Sequence, residues 1–133
     1  TSAANCIVRG NAELLHSAIE NVIRNAIRYT DSGTSVEVRM EPESSSSGAK
    51  IRLVVRDYGP GVPESELTNI FQPFYRITDA RDRQSGGTGL GLAIADRVVR
   101  IHGGMIRAEN AAPRGLRIEI VLPQSPVRGS GTA

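Results

Sequence analysis

A glycine-rich stretch is the first feature of this sequence that could do chemistry. In "SGGTGLGLAIADRVV", residues 85–99, four glycines fall within six positions, at Gly86, Gly87, Gly89 and Gly91, directly before an apolar helix pattern. Glycine lets a ligand approach backbone N–H groups closely, and the free amides and dipole of a helix N-terminus favour an anion. The stretch therefore predicts a phosphate site, with a flexible loop before an ordinary helix as the alternative.

Three arginines just before the glycines could strengthen such a site. Arg76, Arg81 and Arg83 lie in the polar segment 76–85, which we predict to be a mobile surface loop. Their guanidinium groups could make charge-assisted hydrogen bonds to phosphate. The chain has no G-K-[ST] triplet, and the glycines follow a polar loop instead of the strand that a dinucleotide fold requires. Both familiar nucleotide-binding folds are therefore disfavoured.

A carboxylate followed by two glycines forms a second candidate site. In "RDYGPG", residues 56–61, Asp57 ends a predicted strand and is followed by Gly59 and Gly61. The carboxylate could accept a hydrogen bond from an amine such as the exocyclic amino group of adenine. An ordinary strand-to-turn cap is the alternative for this pattern taken by itself.

A third candidate site consists of polar residues on a helix predicted at 12–28. Helical geometry places Asn21 and Asn25 within about 40° of each other at the edge of the apolar face, with Arg28 one step further round. Carboxamide oxygens suit Mg²⁺, a hard ion that prefers oxygen ligands. Solvated or locally bonded asparagines are the alternative.

The elements that must position these residues are helices inserted among strands joined mostly by hairpins, which predicts an α+β two-layer sandwich. The predicted strands are 5–10, 35–40, 50–57, 105–110 and 115–123. The predicted helices are 12–28, 63–70 and 90–102, and residues 41–49 read as a hairpin loop.

Composition limits the class of protein. The 133 residues suit one domain, and one cysteine, Cys6, indicates a reducing compartment. A net charge of +2 and few aromatic residues argue against nucleic-acid binding. No run approaches the roughly 18 apolar residues of a membrane span. We expect a soluble intracellular domain at residues 1–123, followed by a flexible tail at 124–133.

Four motifs in order carry a family resemblance. They are "NVIRNAIRY" (21–29), "DYGPG" (57–61), "FQPFYR" (71–76) and "GGTGLGLAI" (86–94). They resemble the N, G1, F and G2 boxes of the ATP-binding domain of bacterial sensor histidine kinases, which shares its fold with gyrase, Hsp90 and MutL. The resemblance covers roughly residues 5–123 and looks closest to the Cpx-type envelope-stress sensor kinases of Gram-negative bacteria.

The resemblance implies a Bergerat ATP-binding fold with a mixed sheet of about five strands packed on three helices. ATP and Mg²⁺ are the implied cofactors, with Asn25 as metal ligand and Asn21, Asn25 and Arg28 as catalytic residues. Phe71 and Phe74 would anchor a lid running from about residue 76 to 88. The implied nucleotide contacts are Asn21, Asn25, Arg28, Tyr29, Asp57, Gly59, Gly61, Phe74, Arg81, Arg83, Gly87, Thr88, Gly89, Leu90 and Gly91.

Two positions depart from the wider superfamily. Members that hydrolyse ATP have a glutamate four residues before the metal asparagine, whereas this chain has Asn21, which cannot act as a general base. Glu20 is one residue before Asn21, and on a helix its side chain points about 100° away from that of Asn21. Leu116 stands where the family often has threonine after a glycine. The resemblance therefore implies γ-phosphoryl transfer to a protein side chain instead of hydrolysis.

The histidine acceptor of such a kinase is missing from this sequence. Neither His16 nor His102 lies in an H-E-x-[KR]-x-P context. We predict that His16 is a helix-surface residue and that His102 is a helix C-terminal residue, a position favourable to the helix dipole.

The implied partners are a separate domain, which dimerises and carries the histidine, and a response regulator. No nucleic acid is implied, and membrane contact is implied only through other segments. We expect a monomeric cytoplasmic domain of an inner-membrane protein. An anti-sigma-type serine kinase and a non-catalytic nucleotide-binding module are the alternatives.

Overall fold

The computed structural model describes residues 8–45, 48–75 and 90–124. Two α-helices lie in this part of the chain, α1 at Ala12–Tyr29 and α2 at Gly91–Ile101. The strands are β1 (Glu37–Ser45), β2 (Gly48–Arg56), β3 (Met105–Asn110) and β4 (Leu116–Pro123). Both helices pack on one face of the sheet, which confirms the predicted α+β two-layer class.

The sheet differs in detail from the expectation of a mixed sheet of about five strands. The described residues form four strands in the order β1-β2-β4-β3, and each neighbouring pair is antiparallel. The first half of the strand predicted at 5–10 lies outside the described residues, and the described half, 8–10, is not a strand. Strand count and pairing depend on which segments meet across the fold, so local alternation leaves them open.

The second of the three predicted helices, at 63–70, is not an α-helix in the structure. The segment instead forms two 3₁₀ turns, Glu64–Glu66 and Asn69–Phe71. An isolated helix of so few residues is marginal, because nucleation costs more than the few hydrogen bonds return. Buried Ile70 then ties this segment to the core.

The predicted loop at 41–49 is largely strand. Arg52 on β2 explains this, because its guanidinium bonds Glu41 on β1 at 2.8 Å and Glu119 on β4 at 3.1 Å. Glu119 is 7% exposed and also accepts a 2.8 Å hydrogen bond from Arg107 on β3. These side chains link all four strands on the face away from the helices. Pro42 is tolerated within β1 because this strand is an edge of the described sheet.

The first helix follows the sequence pattern closely. Asn11 caps α1, and its side-chain oxygen accepts a 3.0 Å hydrogen bond from the Leu14 N–H. Ala18, Val22 and Ala26 form the buried stripe. They share one core with α2 and the inner face of the sheet, through Val55, Ala95, Val98, Val99, Ile118, Ile120 and Leu122.

The two histidines have different surroundings. His16 is on the surface of α1, as predicted, with its side chain 79% exposed. His102 is at the C-terminal end of α2, as predicted. Its Nε2 accepts a 3.0 Å hydrogen bond from the Asn11 N–H, so that nitrogen carries no proton, and Nδ1 donates to the Val98 carbonyl at 2.8 Å. The imidazole thus joins the start of α1 to the end of α2.

Within the described ranges, neither helix has both the length and the apolar composition needed to cross a membrane.

Candidate functional site

Asp57, directly after β2, is the most constrained of the predicted site residues. It is 2% exposed, and its Oδ1 accepts hydrogen bonds from the N–H groups of Gly59 at 2.8 Å and Leu116 at 3.2 Å. No described residue donates to Oδ2. One carboxylate oxygen is therefore fixed by the protein, and the other is left for a ligand.

Burial raises the pKa of the Asp57 carboxyl above its ordinary value. The backbone N–H groups of Gly59 and Leu116 oppose this rise, and the charge of Asp31 adds to it. A buried carboxylate is costly unless its lone pairs find donors. The site is therefore suited to a ligand that brings a hydrogen-bond donor to Oδ2.

The turn after Asp57 requires its glycines for two reasons. A Cβ atom at Gly59 would collide with the carbonyl oxygen of Tyr29, the last residue of α1. Gly61 has φ +77°, which L side chains rarely adopt. The turn therefore packs closely on the backbone at the end of α1. The buried Tyr29 lies beside the turn at the point where α1 ends.

Asn21, one of the three predicted residues of α1, lies near the start of α2. A Cβ built on Gly91 would be 3.5 Å from Oδ1 of Asn21, so the first turn of α2 faces this asparagine. Asn25 and Arg28 are each partly buried, and no described residue makes a hydrogen bond or ion pair with Asn21, Asn25 or Arg28. The fold therefore brings two of the motifs together and leaves three polar side chains open to a ligand.

Glu20 lies elsewhere, as helical geometry predicts. Its carboxylate pairs with Arg24 at 2.9 Å and lies 3.9 Å from His16, both on the surface of α1. No described acidic side chain therefore takes the place of a general base next to Asn21.

The start of α2 fits the predicted anion site. Leu90 is the N-cap residue and supplies no side-chain hydrogen bond to the first turn. The first amides of a helix lack partners within the helix, so a ligand can satisfy them. Of the other residues predicted for this loop, the whole lid segment and Arg81, Arg83, Gly87, Thr88 and Gly89 lie outside the described residues.

The two phenylalanines of the F box differ in their packing. Phe71 packs against the hydrophobic core, as expected of an anchor. Phe74 is 71% exposed and has φ +65°, so its ring is not packed on the hydrophobic core as Phe71 is. The neighbouring Tyr75 packs on the core instead. A turn in which the Tyr75 N–H bonds to the Gln72 carbonyl at 3.2 Å rotates Phe74 outward.

Sequence reasoning missed three residues that support the site. Thr30 Oγ1 accepts a 2.9 Å hydrogen bond from the Tyr58 N–H. Arg114 donates from Nε to the Gly59 carbonyl at 3.1 Å and pairs with Asp31. Asn110 bonds both backbone groups of Val62. Nothing in their local sequence distinguishes these side chains from ordinary turn and cap residues.

Comparison with known sequences identifies the family. The profile described as "Histidine kinase-, DNA gyrase B-, and HSP90-like ATPase" matches residues 10–126. Sensor histidine kinase CpxA of Escherichia coli (strain K12) is 46% identical over 114 residues, which are 86% of this chain and 24% of that protein. The chain thus spans about a quarter of the length of the curated relatives that it matches.

Solved structures agree with this. Mycobacterial sensor histidine kinase MprB superposes with a TM-score of 0.76 at 36% identity, covering 90% of this chain and 76% of that one. Full-length ShkA in complex with AMPPNP gives a TM-score of 0.70 at 25% identity, covering 92% and 24%. The chain therefore belongs to the histidine kinase-, DNA gyrase B- and HSP90-like ATPase family, as an ATP-binding domain of the histidine kinase type.

Proposed function

We propose that this domain binds Mg²⁺·ATP and transfers the γ-phosphoryl group to a histidine of a separate domain of the same protein. The observation that carries this proposal is Asp57, a buried carboxylate with Oδ1 held by two backbone amides and Oδ2 without a described protein donor. The exocyclic amino group of adenine donates to Oδ2. Guanine would present a carbonyl oxygen there and be repelled.

The phosphates extend from the base toward α1 and the start of α2. The first amides of α2 and the guanidinium of Arg28 bind phosphate oxygens, since both attract anions. Tyr29 and the remaining glycine-loop residues complete the nucleotide contacts in this proposal.

The residues present fit a magnesium ion. Asn25 offers a neutral carboxamide oxygen that no described residue uses, and Asn21 lies one helical turn earlier. Mg²⁺ suits such a site because it takes few protein ligands and keeps waters and substrate phosphates. Bound there, the ion supplies neutralisation of charge on the phosphates. Asn25 orients the triphosphate, and Asn21 and Arg28 hold its oxygens in place.

Transfer is favoured over hydrolysis because the site has no described general base for water. Asn21 cannot take a proton, and Glu20 is engaged with Arg24. In the transfer step a histidine nitrogen forms a bond to the γ-phosphorus while the bond to the bridging oxygen breaks. ADP leaves, and the imidazole proton is released to solvent. Positioning and electrostatics then account for most of the rate.

The acceptor belongs to another domain in this proposal. Both nitrogens of His102 are hydrogen-bonded, and His16 lies on the outer surface of α1. The domain that carries the acceptor histidine also dimerises the protein and passes phosphate to an aspartate of a response regulator. In this proposal the domain lies on the cytoplasmic side of an inner-membrane protein. The Cpx-type resemblance implies that the whole protein responds to envelope stress.

Substitution of Asn25 tests the proposal. Asn25→Ala should lower phosphoryl transfer from labelled ATP to an added histidine domain by about 100-fold or more, because the triphosphate loses its alignment. Asn69→Ala is the matched control, since Asn69 is exposed and its side chain bonds Glu66 in a 3₁₀ turn. Undiminished transfer by the Asn25 variant would refute the metal-ligand assignment. Acid-stable label, in place of acid-labile phosphohistidine, would favour a serine kinase.

A further inference from the structure

We propose that Asn110 is a positioning residue that sets the base selectivity of this site, by holding the far end of the turn that begins at Asp57. The inference rests on the proposed function, in which Asp57 receives the exocyclic amino group of adenine. Asn110 is on β3, outside the four recognised motifs, and would control which purine the domain accepts.

The carboxamide of Asn110 hydrogen-bonds to both backbone groups of one residue, Val62. Its Oδ1 accepts a 2.9 Å hydrogen bond from the Val62 N–H, and its Nδ2 donates to the Val62 carbonyl at 2.6 Å. Val62 is itself buried. A planar amide that satisfies both groups of one residue fixes the orientation of that backbone as well as its distance, which a single hydrogen bond would not.

One cross-strand pair holds both ends of the turn. Asn110 on β3 is the register partner of Leu116 on β4. Leu116 binds the start of the turn, because its N–H donates to Asp57 Oδ1 at 3.2 Å and its carbonyl accepts the Asp57 N–H at 3.0 Å. Asn110 binds the end of the turn at Val62. The distance between Asp57 and Val62 is therefore set by the β3–β4 ladder.

Asn110 also packs on the glycine that precedes Val62. Gly61 has φ +77°, and a Cβ there would be 2.6 Å from Asn110 Oδ1, so the carboxamide packs directly on this glycine. Glycine is the most mobile backbone unit when its neighbours are released. Loss of Asn110 would let the segment from Gly59 to Val62 shift. Because the Gly59 N–H is one of the two donors that fix Asp57 Oδ1, the direction of Oδ2 would shift with it.

The direction of Asp57 Oδ2 affects the selectivity for adenine more strongly than it affects the overall affinity for nucleotide. A hydrogen bond weakens steeply as its angle departs from linearity, whereas ring packing and phosphate contacts tolerate small movements. A loosened turn should therefore lose the preference for an amino-bearing purine while it still binds nucleotide.

The test compares two ligands on each protein by calorimetry in the presence of Mg²⁺. One ligand is AMPPNP, and the other is the same triphosphate analogue built on purine riboside, which lacks the exocyclic amino group. The wild-type chain should prefer AMPPNP by about tenfold or more, as expected for a hydrogen bond to a charged group. Asn110→Ala should bring the ratio of dissociation constants to within about twofold of one.

Two further variants sharpen the result. Asn110→Asp keeps the size and the acceptor but places a second oxygen against the Val62 carbonyl, so it should also lose the preference. Asn69→Ala should keep the wild-type ratio. Because each ratio is measured within one folded protein, reduced stability cannot produce the effect.

The outcomes separate this inference from the proposed function. If the Asn110 variants keep the wild-type ratio, or weaken both ligands equally, Asn110 has only a structural role and the inference is wrong. If the wild-type chain itself shows no preference, the adenine contact of Asp57 is wrong, and this inference falls with it.

Discussion

At the scale of single residues, Asp57 combines a structural cost with a binding role. Its carboxylate is nearly inaccessible, and burial raises its pKa although two backbone donors oppose the rise. In the folded domain the proton is therefore bound more tightly than in the unfolded chain. Functional groups are often held in such unfavourable surroundings, because the ligand supplies the missing interaction.

Asp57→Asn should stabilise the unliganded domain at neutral pH while removing AMPPNP binding. A raised native pKa contributes stability below the unfolded pKa, and this contribution is lost as the pH rises through the native pKa. At neutral pH only the wild type carries the buried charge, so the variant should gain on the order of 1 kcal/mol in unfolding free energy. The gain should shrink as the pH falls. Thermal unfolding at several pH values measures this, and a variant less stable than wild type at neutral pH would contradict it.

At the scale of elements, the start of α2 explains why so much bare backbone precedes a helix. Its N-cap Leu90 gives no side-chain cap, and Gly91 faces Asn21 of α1. A helix selected for stability alone would have a capping side chain and alanine here. The arrangement instead leaves the first turn of α2 without a side-chain cap, beside Asn21 of α1.

Gly91→Ala should therefore separate stability from binding. The added Cβ would meet Asn21 Oδ1 at an ordinary contact distance of 3.5 Å, so the fold can accept it. Unfolding free energy should rise by a few tenths to about 1 kcal/mol, because alanine favours the helix. AMPPNP affinity should fall, because the methyl group keeps phosphate from the amides. Arg97→Ala, on the exposed side of α2, is the control and should bind normally. Unchanged affinity in Gly91→Ala would place the phosphates elsewhere.

At the scale of the whole molecule, a few long-range hydrogen bonds hold the layers in register. His102 joins the N-terminus of α1 to the last turn of α2, across 91 positions of sequence. Thr30 and Arg114 join the end of α1 to the Asp57 turn. Both ends of α1 are thus tied to other elements, which fixes where Asn21 and Asn25 lie relative to α2 and the turn.

His102→Ala should lower the unfolding free energy by about 2 kcal/mol, since two hydrogen bonds are lost and the Asn11 N–H loses its acceptor. His16→Ala should change stability by less than about 0.5 kcal/mol, because His16 is a surface residue. Denaturant titration of both variants measures the difference. Equal small effects would show that the imidazole bridge adds nothing to stability.

Much of the fold could be predicted from local sequence. The Asn11 cap, the buried stripe of Ala18, Val22 and Ala26, and the β3–β4 hairpin all depend on residues a few positions apart. The length of β1 could not, because it depends on Arg52 bonding Glu41 and Glu119 from different strands. The helix predicted at 63–70 was wrong for a different reason: the segment is two 3₁₀ turns, because so short a helix is marginal by itself.

The sequence by itself determined which chemical groups are available: the carboxylate of Asp57, the amides of Asn21 and Asn25, and the glycines before α2. Tertiary structure decided which of their neighbours hold them, namely Thr30, Asn110 and Arg114, and it turned Phe74 outward. The physical reason is range. Motifs and caps are encoded by neighbouring residues, whereas the bond between Asn110 and Val62 joins side chain and backbone 48 positions apart and exists only once the sheet has formed.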